Sequence, residues 1–235
     1  MEPGQLGCGG EAPAHLGVLN DRKGGLFIPL SLFSHEVLDL VGLEALLIVS
    51  RLAELSQPMR ETRKSNIIGL MRLIRLKDAE SHVLKGEEMA EKQDWAGAKE
   101  QFAEAAAVYK QLEETARASN MLSALGLAHF ALNELEEAMA SLQEALRIKR
   151  EIRDREGEAT ELLAIGNVHL AAERYPEAER AYIGALAVFR MLDIIDGEIY
   201  VYRAMSRLYR EMGREEDAQR ALDQVDEARV RLAKT

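Results

Sequence analysis

Ile67, Leu70, Met71 and Ile74 recur at helical spacing, with Arg63, Lys64, Arg72 and Arg75 on the other side. This pattern predicts an amphipathic helix from about Met59 to Leu76. Ahead of it, Ser34 suits an N-cap, Glu36 falls in the first turn, and Gln57-Pro58 stops the segment, so a helix is expected from Ser34 to about Leu55. That helix is apolar on more than one stripe, through Val37, Leu38, Leu40, Val41, Leu43, Leu46, Leu47, Ile48 and Val49. A helix apolar all round must be covered on several sides, either within the chain or by a second subunit.

Beyond Ala79 the pattern repeats every 40 residues. Gly86, Gly126 and Gly166 stand in register, with Ser206 in the fourth slot. Ala98, Ala138, Ala178 and Ala218 form a second ladder, Phe102, Leu142, Tyr182 and Leu222 a third, and Ala105, Ala145, Ala185 and Val225 a fourth. One period shared by four columns means stacked structural repeats, here 79–118, 119–158, 159–198 and 199–235. Each holds a helix A, a short turn, a helix B and then an extended connection. Glycine in a helix costs about 1 kcal/mol against alanine, so its recurrence needs a packing reason. The expected reason is that helix A crosses helix B there, with the alanines of the 98 ladder as the opposing small residues.

The A–B turns are read at Gln93-Asp94-Trp95, Asn133-Glu134-Leu135, Glu173-Arg174-Tyr175-Pro176 and Gly213-Arg214. Pro176 suits the first turn of a helix. Asp154 with Gly157, and Asp196 with Gly197, are expected to punctuate the B-to-A connections as caps and turns. The 40-residue frame cannot be extended upstream, because it puts Pro58 in the alanine slot. Residues 34–78 are therefore read as a helical hairpin that caps the array. Residues 1–25 hold seven glycines and two prolines, and with 26–33 they form a segment expected to be disordered or extended.

Composition adds little to the fold and more to the partners. The 235 residues are 47% apolar and 30% charged, as suits a water-soluble helical protein. Residues 1–78 hold nine basic and nine acidic side chains, so the repeats carry the whole net charge of −10. Such a surface repels phosphate backbones, and nucleic acid is not an expected partner. The single cysteine, Cys8, excludes an intrachain disulfide. No basic and apolar leader precedes it, and the run from Val37 to Val49 is too short and too charged to span a bilayer. A cytoplasmic protein without membrane contact is the expectation.

These columns resemble the tetratricopeptide repeat, with its glycine at 86, 126 and 166, its central alanine at 98, 138, 178 and 218, and its large residue at 102, 142, 182 and 222. The six extra residues per repeat resemble the longer variant of Pins-type spindle-orientation proteins, kinesin light chains and bacterial regulators, most closely over Ala145–Ala159. Ser206 and Val225 depart from the pattern, as does the absence of a proline ending helix B. The resemblance implies an all-α, right-handed superhelical solenoid of antiparallel helix pairs, behind an N-terminal helical cap. It also implies a non-enzymatic adaptor that takes a protein or peptide segment in its concave groove.

From the glycine register, that groove should be lined by Glu80, Val83, Glu87, Ala90 and Glu91, then by Asn120, Ser123, Leu127 and Phe130. Thr160, Leu163, Asn167 and Leu170 follow, and the last repeat supplies Tyr200, Arg203, Arg207 and Arg210. Arg203, Arg207, Arg210 and Arg214 share one helix face. They suit an acidic or C-terminal peptide held by charge-assisted hydrogen bonds, or else form a solvated face paired with Glu211, Glu215 and Glu216. By the resemblance, Asn167 would hold the ligand's backbone. His129 and His169 occupy one slot of successive repeats, but no ligand set completes a metal site. No phosphate loop or catalytic constellation is found, and no cofactor or metal is expected. The alternative function is structural self-assembly, a homo-oligomer joined through residues 35–55 or through stacked repeats.

Overall fold

A computed structural model describes residues 19–20, 26–27 and 59–233. The helix expected from Ser34 to Leu55, with its self-association stripe, lies outside the described residues. The chain divides into two compact units, Met1–Met71 and Arg72–Thr235. In the first, β1 (Leu19–Asn20) pairs antiparallel with β2 (Leu26–Phe27), Leu19 opposite Phe27 and Asn20 opposite Leu26.

The second unit is an all-α repeat solenoid. Helix α1 runs from Met59 to Glu91 without a break, so the sequence boundary at 78/79 falls inside a helix. Nothing from Lys77 to Lys85 is a glycine or proline, and the run from Asp78 to Lys85 offers the backbone no reason to stop. Seven helices follow: α2 (Trp95–Gln111), α3 (Thr115–Ala131), α4 (Leu135–Glu151), α5 (Arg155–Ala171), α6 (Tyr175–Met191), α7 (Ile195–Glu211) and α8 (Glu215–Leu232). All but the last are 17 residues long.

Three residues join each helix to the next, and the middle one is left-handed every time. These are Gln93, Glu113, Asn133, Arg153, Glu173, Asp193 and Gly213, with φ between +56° and +69°. At each link two hydrogen bonds close the helix end, as in Arg153 N–H to the Arg150 carbonyl (3.1 Å) and Asp154 N–H to the Lys149 carbonyl (2.8 Å). That is the Schellman pattern, which satisfies carbonyls a helix end would otherwise leave bare. The residue completing it is also the N-cap of the next helix, as Asp154 shows by accepting from Gly157 N–H at 2.9 Å. The expected extended connection between B and A helices is therefore absent, and both kinds of link have one form. Asp196 and Gly197 lie within α7, not in a turn.

The small-residue ladders are buried. Ala98, Ala138, Ala178 and Ala218 are at most 1% exposed. What lies over each ladder glycine is the large residue of the following helix. A Cβ on Gly126 would stand 2.7 Å from Leu142 Cγ, one on Gly86 would stand 2.6 Å from Phe102 Cε1, and one on Gly166 would strike the Tyr182 ring. The alanines are secondary here: the Ala138 carbonyl oxygen is the next neighbour of Gly126, at 3.3 Å. Gly157 and Gly197 do comparable work at the start of α5 and α7, where side chains of the preceding helix, Lys149 and Phe189, lie across them. In the fourth glycine slot Ser206 is buried, and its hydroxyl has no partner.

Candidate functional site

Helix α3 touches α5, and α5 touches α7, so one face of the solenoid is paved by A helices. The residues expected on that face are all at least partly open. Asn120, Leu127, Thr160, Tyr200, Arg203, Arg207 and Arg210 are exposed, while Ser123, Phe130, Leu163 and Asn167 are half-buried. Phe130 packs on the cluster of Ala138, Leu142 and Leu146, and Leu163 on the one that contains Tyr182 and Leu186. Two large apolar side chains stand out from the face, Leu127 at 49% and Tyr200 at 61% exposure. Thr160 is turned inward to its own helix, donating to the Glu156 carbonyl at 3.0 Å.

Asn167 bonds the Tyr182 hydroxyl, which also feels the charge of Arg207. The tyrosine is fully buried and donates to Asn167 Oδ1 at 2.8 Å, which fixes the amide plane and leaves Nδ2 as its donor. Burial pushes the Tyr182 hydroxyl well above the usual phenol range, while the Arg207 charge nearby pulls it back down. Sequence reasoning placed Tyr182 only as a packing residue; its hydroxyl also orients the asparagine.

Arg203, Arg207 and Arg210 have no carboxylate partner among the described residues. Glu216 reaches Arg220 instead, at 3.8 Å, so the pairing with Glu211, Glu215 and Glu216 that would make the stripe a neutralised surface is absent. Arg214, the fourth of the stripe, differs. It bonds Asp217 Oδ2 at 2.6 Å, approaches Glu179 at 3.5 Å and stacks over the Tyr209 ring at 4.5 Å. Three unneutralised guanidinium groups therefore remain on α7, each about one turn from the next.

Ser123 is committed elsewhere: its hydroxyl donates to Glu161 Oε1. Glu161 on α5 is 1% exposed, and Lys149 Nζ on α4 lies 3.3 Å from it, itself almost wholly buried. Burial raises the Glu161 pKa, against the pull of Ser123 and Lys149, and its Oε2 has no partner. The signal for this cluster was readable one period away, where the slots of Lys149 and Glu161 hold Tyr109 with Met121, and Phe189 with Val201. An apolar seam is charged at one junction only.

Ion pairs cross the neighbouring B-to-A links. Glu158 bonds Arg150 at 2.7 Å and Arg155 at 2.8 Å; burial alone would raise its pKa, but the two cations hold it below the usual carboxylate range. One period on, buried Glu198 bonds Arg231 at 2.6 Å and faces Arg190 at 3.7 Å. His129 pairs with Glu134 at 2.6 Å, whereas the Nδ1 of His169 is buried without a partner. Among the described residues no three His, Cys, Asp or Glu side chains cluster as metal ligands, and no helix is long and apolar enough to cross a membrane.

This is the architecture of a helical-repeat interaction scaffold. Two family models, each described as Tetratricopeptide repeat, match residues 119–156 and 158–228, and those residues belong to that repeat family. No curated protein sequence matches the chain. Among solved structures, the apo form of RapI is similar at a TM-score of 0.50 and 14% identity, over 86% of this chain and 94% of that one. BtubC (BKLC) from P. vanneervenii is similar at 0.47 and 13%, over 74% and 88%. A putative kinesin light chain from Podosopora anserina, with nearly identical TPR-like repeats, is similar at 0.49 and 12%, over 68% and 99%. At 14% identity the likeness to RapI is one of fold. Tetratricopeptide repeats indicate protein partners, and proteins built from them are generally adaptors rather than catalysts.

Proposed function

We propose that the chain is a cytoplasmic, non-enzymatic adaptor that binds an extended peptide segment, acidic or ending in a carboxylate, along the face paved by its A helices. The observation that carries this reading is the trio Arg203, Arg207 and Arg210, exposed and without carboxylate partners among the described residues, in a chain of net charge −10. A protein with 40 acidic side chains had many available to neutralise three arginines on one helix face. Charge-assisted hydrogen bonds to such groups contribute about 1.5–3 kcal/mol each. Asn167, held by Tyr182, supplies an amide donor for a ligand carbonyl, and Leu127, Phe130, Leu163 and Tyr200 supply apolar contact.

Affinity in the micromolar range, about −8 kcal/mol, is expected for a modest interface of this kind. Titration of labelled acidic and basic peptides against the wild type and Arg203→Glu/Arg207→Glu tests the proposal. The acidic peptide should weaken at least tenfold on the double substitution, and equal affinity for both proteins would remove the reading. Self-assembly through residues 35–55 is decided separately, by sedimentation of the full chain against one lacking residues 1–58.

A further inference from the structure

The inner face of the A helices carries its charge in a graded order. On α1, Glu80, Glu87 and Glu91 are exposed. In the groove slots of α3 stand Asn120, Ser123, Leu127 and Phe130, and in those of α5 Thr160, Leu163, Asn167 and Leu170, none of them charged. On α7 the same slots hold Tyr200 and the arginines 203, 207 and 210. One column shows the whole gradient, since Glu87, Leu127, Asn167 and Arg207 each follow the ladder position by one residue. Glu80 is partly neutralised by Arg117 at 3.4 Å, whereas neither Glu87 nor Glu91 forms an ion pair among the described residues, and Lys92 beside Glu91 pairs with Glu88 at 2.5 Å.

We propose that this face selects a charge-segregated peptide segment and sets its direction, acidic residues lying against α7 and basic residues against α1. The inference rests on the groove reading above and adds a second recognition element to it. Its physical basis is complementarity at two separated ends across an uncharged floor. A ligand reversed in the groove brings like charges together at both ends, while a ligand that is acidic throughout gains at α7 what it loses at α1. Packed helices lie roughly 10 Å apart, so the two ends, three repeats removed, are separated by about 30 Å. An extended chain covers that distance in about nine residues, which sets the spacing of the two charge clusters in the ligand.

The experiment uses the full chain and three fluorescent peptides. One carries two lysines and two glutamates about nine uncharged residues apart, the second has the same composition with the charges interleaved, and the third is acidic only. The segregated peptide should bind about five- to tenfold tighter than the interleaved one, a margin that vanishes in 1 M salt. Glu87→Lys/Glu91→Lys should abolish the margin and strengthen binding of the acidic peptide. Arg203→Glu/Arg207→Glu should weaken the segregated and the acidic-only peptides. Equal binding of the segregated and interleaved peptides, or no effect of the Glu87→Lys/Glu91→Lys change, overturns the directional proposal while leaving acidic-peptide binding in place. Failure of all three peptides to bind removes both readings.

Discussion

Replacing Lys149 by Phe and Glu161 by Val together transplants the α6/α7 seam, Phe189 against Val201, into the α4/α5 seam. The exchange fits locally, because Gly157 already leaves the space beneath residue 149 that Gly197 leaves beneath Phe189. Ser123 would lose its Glu161 acceptor and turn its hydroxyl proton to the Ser119 carbonyl, which lies at 3.0 Å. Glu161→Val alone strands a buried ammonium, and Lys149→Phe alone strands a carboxyl that already has one oxygen without a partner. Breaking a buried pair in this way costs about 3–5 kcal/mol, whereas replacing both members by well-packed apolar residues is commonly neutral or stabilising by about 1–4 kcal/mol. The double variant should therefore stand well above either single one and at or above wild type. At about 2–4 °C per kcal/mol for a chain of this size, the contrast is plain in thermal melts followed by circular dichroism, with urea titration for the coupling free energy. Additive losses, with the double variant the least stable of the four, would refute the claim that this seam is held by a coupled buried pair.

The same carboxyl gives a pH signature. Its folded pKa lies above its unfolded one, so its contribution favours folding most fully below the ordinary glutamate range and is lost as pH rises through the folded value. Glu161→Gln should remove that part of the pH dependence.

Gly166→Ala should destabilise by about 1–3 kcal/mol in urea unfolding, since the new methyl meets a Tyr182 ring that Asn167 holds in place; a neutral result would mean the crossing is slack. At the left-handed link positions, Gly213→Ala should cost about 1 kcal/mol, and Arg153→Gly should stabilise by roughly 0.5–1 kcal/mol once the greater freedom of the unfolded glycine is subtracted, both read from denaturant midpoints. The folded pKa of His169 is held down by burial first and by Arg174 second, so its stabilising contribution is present above the ordinary histidine value and is lost as pH falls through the folded one. Arg174→Glu should move the NMR titration of that imidazole upward, and an unchanged midpoint would discard the electrostatic part.

The period, the helix pairs and the glycine crossings were legible in the sequence because each depends on residue size at a fixed spacing. The links were not. Six of the seven left-handed positions are occupied by residues other than glycine, so the composition cue for a helix end points to Gly157 and Gly197, which the structure places inside helices. The run-on of α1 past Leu76 was hidden by the repeat frame itself, which invites a boundary where the repeat begins rather than where a helix stops. On the candidate face, residue identity was enough to find the arginines. Pairing is a three-dimensional fact: only the fold separates Arg214, tied to Asp217, Glu179 and Tyr209, from the three arginines beside it.

The seven helix-to-helix links share one backbone shape, and this bears on where the curvature of the array is written. A hinge that is the same everywhere imposes no local difference in pitch. Any variation in how one layer tilts against the next must come from the side chains pressed between them: Tyr109 under Arg117, Lys149 against Glu161, Phe189 on Gly197. Redesign of the stacking should accordingly begin with Tyr109, Lys149 and Phe189 and leave the loops as they are.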